Sequence, residues 1–120
     1  MKHNFKNLLV WQKSMDLVTE VYQLTRNFPE SERYNLVSQI NRSAVSVPSN
    51  IAEGSGRNTN KDFARFLGNA LGSLYELETQ LILAERLKFI SQEDSTILMP
   101  KVNEIQRMLN KFTQSINSKS

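Results

Sequence analysis

Phe63, Leu67, Ala70, Leu74, Leu77, Leu81 and Ala84 return at intervals of three and four residues without a break. That spacing keeps one face of an α-helix apolar over about six turns. A strand, with its period of two, would scatter the same residues over both faces. A helix so long and one-sided must be covered, and the rest of the chain offers only further helices. Thr59 followed by Asp62 reads as a variant of the capping box, able to satisfy free amides at the start of this element, which is predicted over 59–89.

The stretch Val45 to Arg57, VSVPSNIAEGSGR, joins that helix to an earlier one through a glycine-rich corner. Leu36, Ile40, Ala44, Val47 and Ile51 form the buried side of a helix predicted over 30–54, with Pro29 suited to its first turn. Pro48 should bend this helix. Gly54, Ser55 and Gly56 should end it, because glycine makes left-handed backbone conformations accessible. Before it, Trp11, Met15, Val18 and Tyr22, widened by Leu17, Val21 and Leu24, predict a helix over 8–26. After the long helix, Ser91 with Asp94 repeats the capping pattern for a fourth element over 92–116. Its apolar positions are Ile97, Val102, Ile105, Leu109, Phe112 and Ile116, and Pro100 is expected to kink or divide it. Four amphipathic helices with short connections pack most simply as antiparallel neighbours. The expected fold is therefore all-α, one antiparallel up-down-up-down four-helix bundle spanning 1–120.

Length and composition agree with one soluble core: 120 residues, 39% hydrophobic and 22% charged. Fifteen Lys and Arg against twelve Asp and Glu leave a formal charge of +3, which permits attraction to phosphate without demanding it. With no cysteine, disulfides and thiolate chemistry are excluded. The opening MKHNFKNLLVW lacks the pattern of a signal peptide, and no apolar run approaches the ~20 residues of a membrane span, so a cytoplasmic protein is expected, with no membrane partner.

Two patterns lie outside the core. Arg42, Ser46, Asn50 and Glu53 share one side of the second helix, and Asn69, Ser73, Glu76 and Gln80 one side of the third. Folding the hairpin brings these stripes together as a polar seam that fixes register, with an Arg42 to Glu76 ion pair within geometric reach. The third helix also carries Ala64, Gly68, Leu71, Tyr75 and Ile82 on a stripe separate from its core face, and a helix apolar on two faces usually has two partners. Gly68 costs about 1 kcal/mol relative to alanine in a helix interior, which is easier to rationalise if another backbone approaches there. A second copy of the chain is the expected partner.

Arg57, Lys61 and Arg65 fall at spacings of four around the start of the third helix, where the macrodipole disfavours cations. A nucleic-acid phosphate would gain from these charges and from the free amides. The alternative is a solvated basic face balanced by Glu53 and Asp62. A second cluster, Lys101, Arg107 and Lys111 with Lys119, is interrupted by Glu104. Enzymatic readings fare poorly, and no catalytic residue is assigned. His3 is the only histidine, Glu76 and Glu78 occupy different helix faces with no Glu-x-x-His pair, and GSGR lacks the lysine and hydroxyl of a phosphate-binding loop. No metal and no cofactor are expected. Trp11 and the six Phe residues are expected in the core rather than as stacking platforms.

The phrases NLLVWQKSMDL, LVSQINRSAVSVPSNIAEGSGR and FARFLGNALGSLYELETQLILAERL resemble the four-helix bundle family of proteins encoded in intervening sequences of bacterial 23S ribosomal RNA genes, over Phe5 to about Ile90. The resemblance implies up-down bundles that assemble as ring-shaped homopentamers. Through a related branch, the accessory protein of diversity-generating retroelements, it implies binding of RNA or DNA. Two functional classes stay open: a homo-oligomeric nucleic-acid-binding accessory protein, and a scaffold or adaptor that binds another protein.

Overall fold

The computed structural model describes residues 4–118, so His3 and Lys119 lie outside the described residues. A 3-10 turn at Phe5–Asn7 leads into α1 (Leu9–Thr25), and a second at Glu30–Glu32 precedes α2 (Leu36–Ser55). Two longer helices follow, α3 (Asn60–Arg86) and α4 (Gln92–Asn117). Among the described residues there is no strand. Each helix packs beside its neighbours in the cyclic order α1–α2–α3–α4–α1, and the diagonal pairs bring no Cα atoms within 8 Å of each other. The contacts run in opposite order along neighbours. Ser46 bonds Ser73 while Gly54 lies against Phe66, and Phe63 meets Phe112 while Glu78 meets Gln106. This is the antiparallel arrangement, in a body of 46 × 24 × 20 Å.

The core follows the long helix. All seven of its periodic residues from Phe63 to Ala84 are buried, as are Leu36, Ile40, Ala44, Val47 and Ile51 of α2. Both capping signals are real: the Thr59 and Ser91 hydroxyls accept from the Asp62 and Asp94 amides at 3.1 and 3.0 Å. Helix α3 ends in a Schellman turn. The Phe89 amide donates to the Ala84 carbonyl and the Lys88 amide to that of Glu85, each at 2.9 Å. Lys88 takes the left-handed conformation that glycine usually fills there, with φ 64°.

Several expectations need correction. α2 begins at Leu36 and not at Glu30, because Pro29 starts only a 3-10 turn and Asn35 leaves helical geometry at φ −112°, ψ −105°. At the corner Gly54 and Ser55 are still helical, and Gly56 sits at φ −89°, so neither glycine supplies a left-handed turn. Gly54 serves instead to let α3 approach: a Cβ there would lie 2.6 Å from Cβ of Phe66. Pro100 does not divide α4, which runs unbroken from Gln92 to Asn117. In α4 the buried position is Leu98, one residue beyond the expected Ile97, which is 62% exposed. In α1 the buried apolar residues are Val10, Leu17 and Val21, whereas Met15 and Tyr22 are 42% and 43% exposed.

Candidate functional site

The corner between α2 and α3 gathers Arg57, Lys61 and Arg65, the three basic residues singled out from the sequence, around a shallow depression that also includes Asn58 and Asp62. α2 stops at Ser55, α3 starts at Asn60, and the intervening turn brings the end of one helix beside the first turns of the next. Arg57 donates through Nη2 to Glu53 Oε2 at 2.8 Å and lies 3.8 Å from Asp62. Arg65 donates through Nη2 and Nε to Asp62 Oδ1 at 2.7 and 3.0 Å. Both guanidiniums also stand 4.5 Å from the ring centroid of buried Phe66. Two of the three cations are thus held by acids of the same corner, and Lys61 alone forms no ion pair within the described residues. Such exposed pairs stabilise by about 1 kcal/mol or less, yet they reduce the charge offered to an anion.

The second basic group does not come together as one patch. Lys101 is drawn across to Glu20 of α1, and Glu104 takes Lys13 at 3.2 Å. Arg107 and Lys111, one turn apart on exposed α4 surface, make no ion pair among the described residues.

Part of the expected polar seam forms. The Ser73 hydroxyl donates to Ser46 Oγ at 2.8 Å, and Asn50 Nδ2 donates to both the carbonyl and the hydroxyl of Ser46 at 2.8 and 3.0 Å. No ion pair joins Arg42 to Glu76; both are exposed, and Glu53 is occupied by Arg57. A second seam escaped the sequence reading. Gln106 Nε2 donates to Glu78 Oε1 at 2.8 Å, and Asn103 Nδ2 donates to Gln106 Oε1 at 3.1 Å, tying α3 to α4. Its only signal is that Gln106 adjoins Ile105 at the margin of the α4 core face.

The outer face of α3 is the other notable surface. Tyr75 and Ile82 are 49% and 42% exposed, and a Cβ added to Gly68 would meet nothing within 4 Å. Leu71 packs partly against the core and Ala64 is half-buried, so these two belong to the shoulder of the strip. Gly72, equally open, together with Thr79 and Leu83, extends the strip beyond the residues expected from sequence. Along about 21 Å from Gly68 to Ile82 the outward-facing line carries no charge. Lys61, Arg65 and Arg86 lie beyond its ends.

Among the described residues no group of His, Cys, Asp or Glu is placed to hold a metal ion, and no helix is long and apolar enough to cross a membrane. A family model described as 23S rRNA-intervening sequence protein matches residues 6–111. The chain belongs to that family. Among solved structures, the chain is similar to a crystal structure of a protein of unknown function from the S23 ribosomal protein family of Bacteroides thetaiotaomicron VPI-5482. The two share 27% identity with a TM-score of 0.79, covering 88% of this chain and 98% of that one. A comparison with curated proteins finds no match. The family match reaches into α4, past the Ile90 limit of the sequence phrases.

Proposed function

We propose that this chain is a non-enzymatic scaffold whose copies assemble through the outer face of α3. The observation that carries the reading is the strip running past Gly68, Gly72, Tyr75 and Ile82, apolar or small, uncharged and open to solvent. Two glycines with free space above them allow a second backbone to come close, and since Tyr75 and Ile82 are about half exposed, burying each would contribute about half of the roughly 1.5–3 kcal/mol that full burial of a large apolar side chain provides. Light scattering over a range of concentrations tests it. An assembly is expected, with five chains the number that the family resemblance suggests, and Tyr75→Arg should return the chain to a 13.8 kDa monomer. A wild-type chain that stays monomeric at every concentration refutes the reading.

A second reading, contact with the phosphate backbone of RNA or DNA, is supported by Lys61, Arg107 and Lys111, which have no ion-pair partner among the described residues. Symmetry would multiply these charges around an assembly. Binding to generic RNA should then weaken steeply with salt. Replacing all three with Gln should flatten the slope by roughly two to three, close to one unit per charge removed from each bound subunit. Salt-independent or undetectable binding leaves the scaffold reading alone.

A further inference from the structure

Beside Tyr22 of α1 the surface sinks into a groove along α2 that the bundle leaves open. Val37, Asn41 and Val45 follow one another at four-residue spacing along it, with Arg42 alongside. Tyr22 and Tyr34, the latter just before α2, complete the lining with 43% and 83% of their surfaces exposed. Towards Phe28 and Pro29 the groove continues past Arg26 and Arg33. Its polar groups are mostly donors. Arg33 and Arg42 line the part beside Val45, and no carboxylate does. Arg26 and Arg42 form no ion pair among the described residues, and Glu30, the acid of the further part, is already held by Arg33 at 3.4 Å. The Thr25 hydroxyl donates to Asn41 Oδ1 at 3.1 Å, which leaves Asn41 Nδ2 a donor without a partner among the described residues. An occupant must therefore bring acceptors and negative charge to the rim and apolar side chains to the middle.

We infer that this groove takes a short acidic segment of a partner protein, its carboxylates paired with Arg33 and Arg42 and its apolar side chains laid on Val37 and Val45. The size is that of a pentapeptide. Val37 to Val45 advances about 12 Å along the helix, and the ends of five extended residues stand about 13 Å apart. Charge complementarity selects the partner, since arginine clusters without competing acids recognise carboxylate groups. Single-stranded nucleic acid would meet the same arginines but a poorer floor. Val37 and Val45 are aliphatic where bases need flat rings, and the Arg33 guanidinium, 5.4 Å from the ring centroid, already covers one face of Tyr34. The groove shares no residue with the α3 strip, so the inference stands whether or not copies assemble through that strip.

Calorimetric titration of the whole chain with an unlabelled, end-capped peptide, Glu-Leu-Phe-Leu-Glu, tests this. The peptide is expected to bind with a Kd below about 1 mM. Its counterpart with Gln at both ends should bind about tenfold more weakly, as the loss of two exposed ion pairs implies. Arg42→Glu should weaken the acidic peptide by about tenfold as well. Lys6→Glu makes the same charge change at the opposite end of the bundle from Tyr34, and at about 0.15 M salt it should alter binding by less than about twofold. Tyr34→Ala, at a position too exposed to disturb folding, should weaken both peptides. Absence of binding refutes the inference outright. Equal binding of the two peptides would reduce the groove to an apolar surface and overturn it, as would an Arg42→Glu chain, helical by circular dichroism, that binds like wild type. Displacement of the peptide by a uridine decamer would give the groove to nucleic acid, and dissociation of an assembly by the peptide would give it to a second copy; either result sinks the inference.

Discussion

Gly54 and Gly56 stand two residues apart in one turn, and alanine should have opposite effects at them. A Cβ on Gly54 would lie 2.6 Å from Cβ of Phe66 and 3.0 Å from Cδ1 of Phe63. Carbon atoms pack at about 3.5–4.0 Å, so roughly 1 Å of room is missing. Phe66 Cβ is fixed to the α3 backbone and cannot swing aside, which forces α2 and α3 apart at their shared corner. Overpacking of this kind costs about 1–3 kcal/mol. Removing a helical glycine returns at most about 1 kcal/mol, and less in the last turn of α2. The net expectation is a loss of about 1–2 kcal/mol. With about 2.1 cal/mol/K of unfolding entropy per residue over 120 residues, Tm should fall by about 4–8 °C. At Gly56 the added Cβ would meet only the Glu53 carbonyl at 3.7 Å, and the backbone at φ −89°, ψ 0° admits alanine. Fewer unfolded conformations should then stabilise Gly56→Ala by about 0.4–1 kcal/mol, raising Tm by about 2–4 °C. Circular dichroism melts at equal chain concentration, which holds any assembly term constant, would read both. A Gly54→Ala melt at or above wild type would refute the close-approach argument.

Lys88→Gly should raise Tm by about 4 °C, since the left-handed backbone at φ 64° costs a non-glycine residue about 1 kcal/mol. Thr59→Ala removes the acceptor for the Asp62 amide and should lower the urea midpoint by the equivalent of about 1 kcal/mol with m unchanged. Gln106→Leu strips Glu78 Oε1 and Asn103 Nδ2 of their shared partner; a loss of about 1–3 kcal/mol is expected in the same titration.

How far the sequence could be read depended on whether a helix had one apolar stripe or two. In α3 the stripe from Phe63 to Ala84 stands well apart from the stripe of Gly68, Tyr75 and Ile82, so core and surface could be told apart before any coordinates. In α1, Trp11–Met15–Val18–Tyr22 and Val10–Leu17–Val21 both satisfy the helical period, and periodicity cannot rank them; only packing against α2 and α4 chooses the second. The same ambiguity shifted Ile97 for Leu98 in α4. The glycine corner is legible in the sequence, but the reason for its first glycine is not. Composition suggests a turn, whereas the decisive constraint at Gly54 is Phe66 on the next helix, which no local pattern reveals. For the basic corner, the sequence supplied both the cations and their neutralising acids, Glu53 and Asp62. It could not tell which would engage.

Of the four seams, that between α1 and α4 is the slimmest, and two partly exposed pairs clasp it: Lys13 with Glu104, and Glu20 with Lys101. Each helix contributes one charge of either sign, in reversed order. Sliding α4 by one to two turns would set Glu104 against Glu20, so the clasp favours the observed alignment. Being exposed, it weakens as ions accumulate around it. The bundle should consequently unlatch along this edge, with α4 the first long segment to surrender its amide protons to deuterium in strong salt.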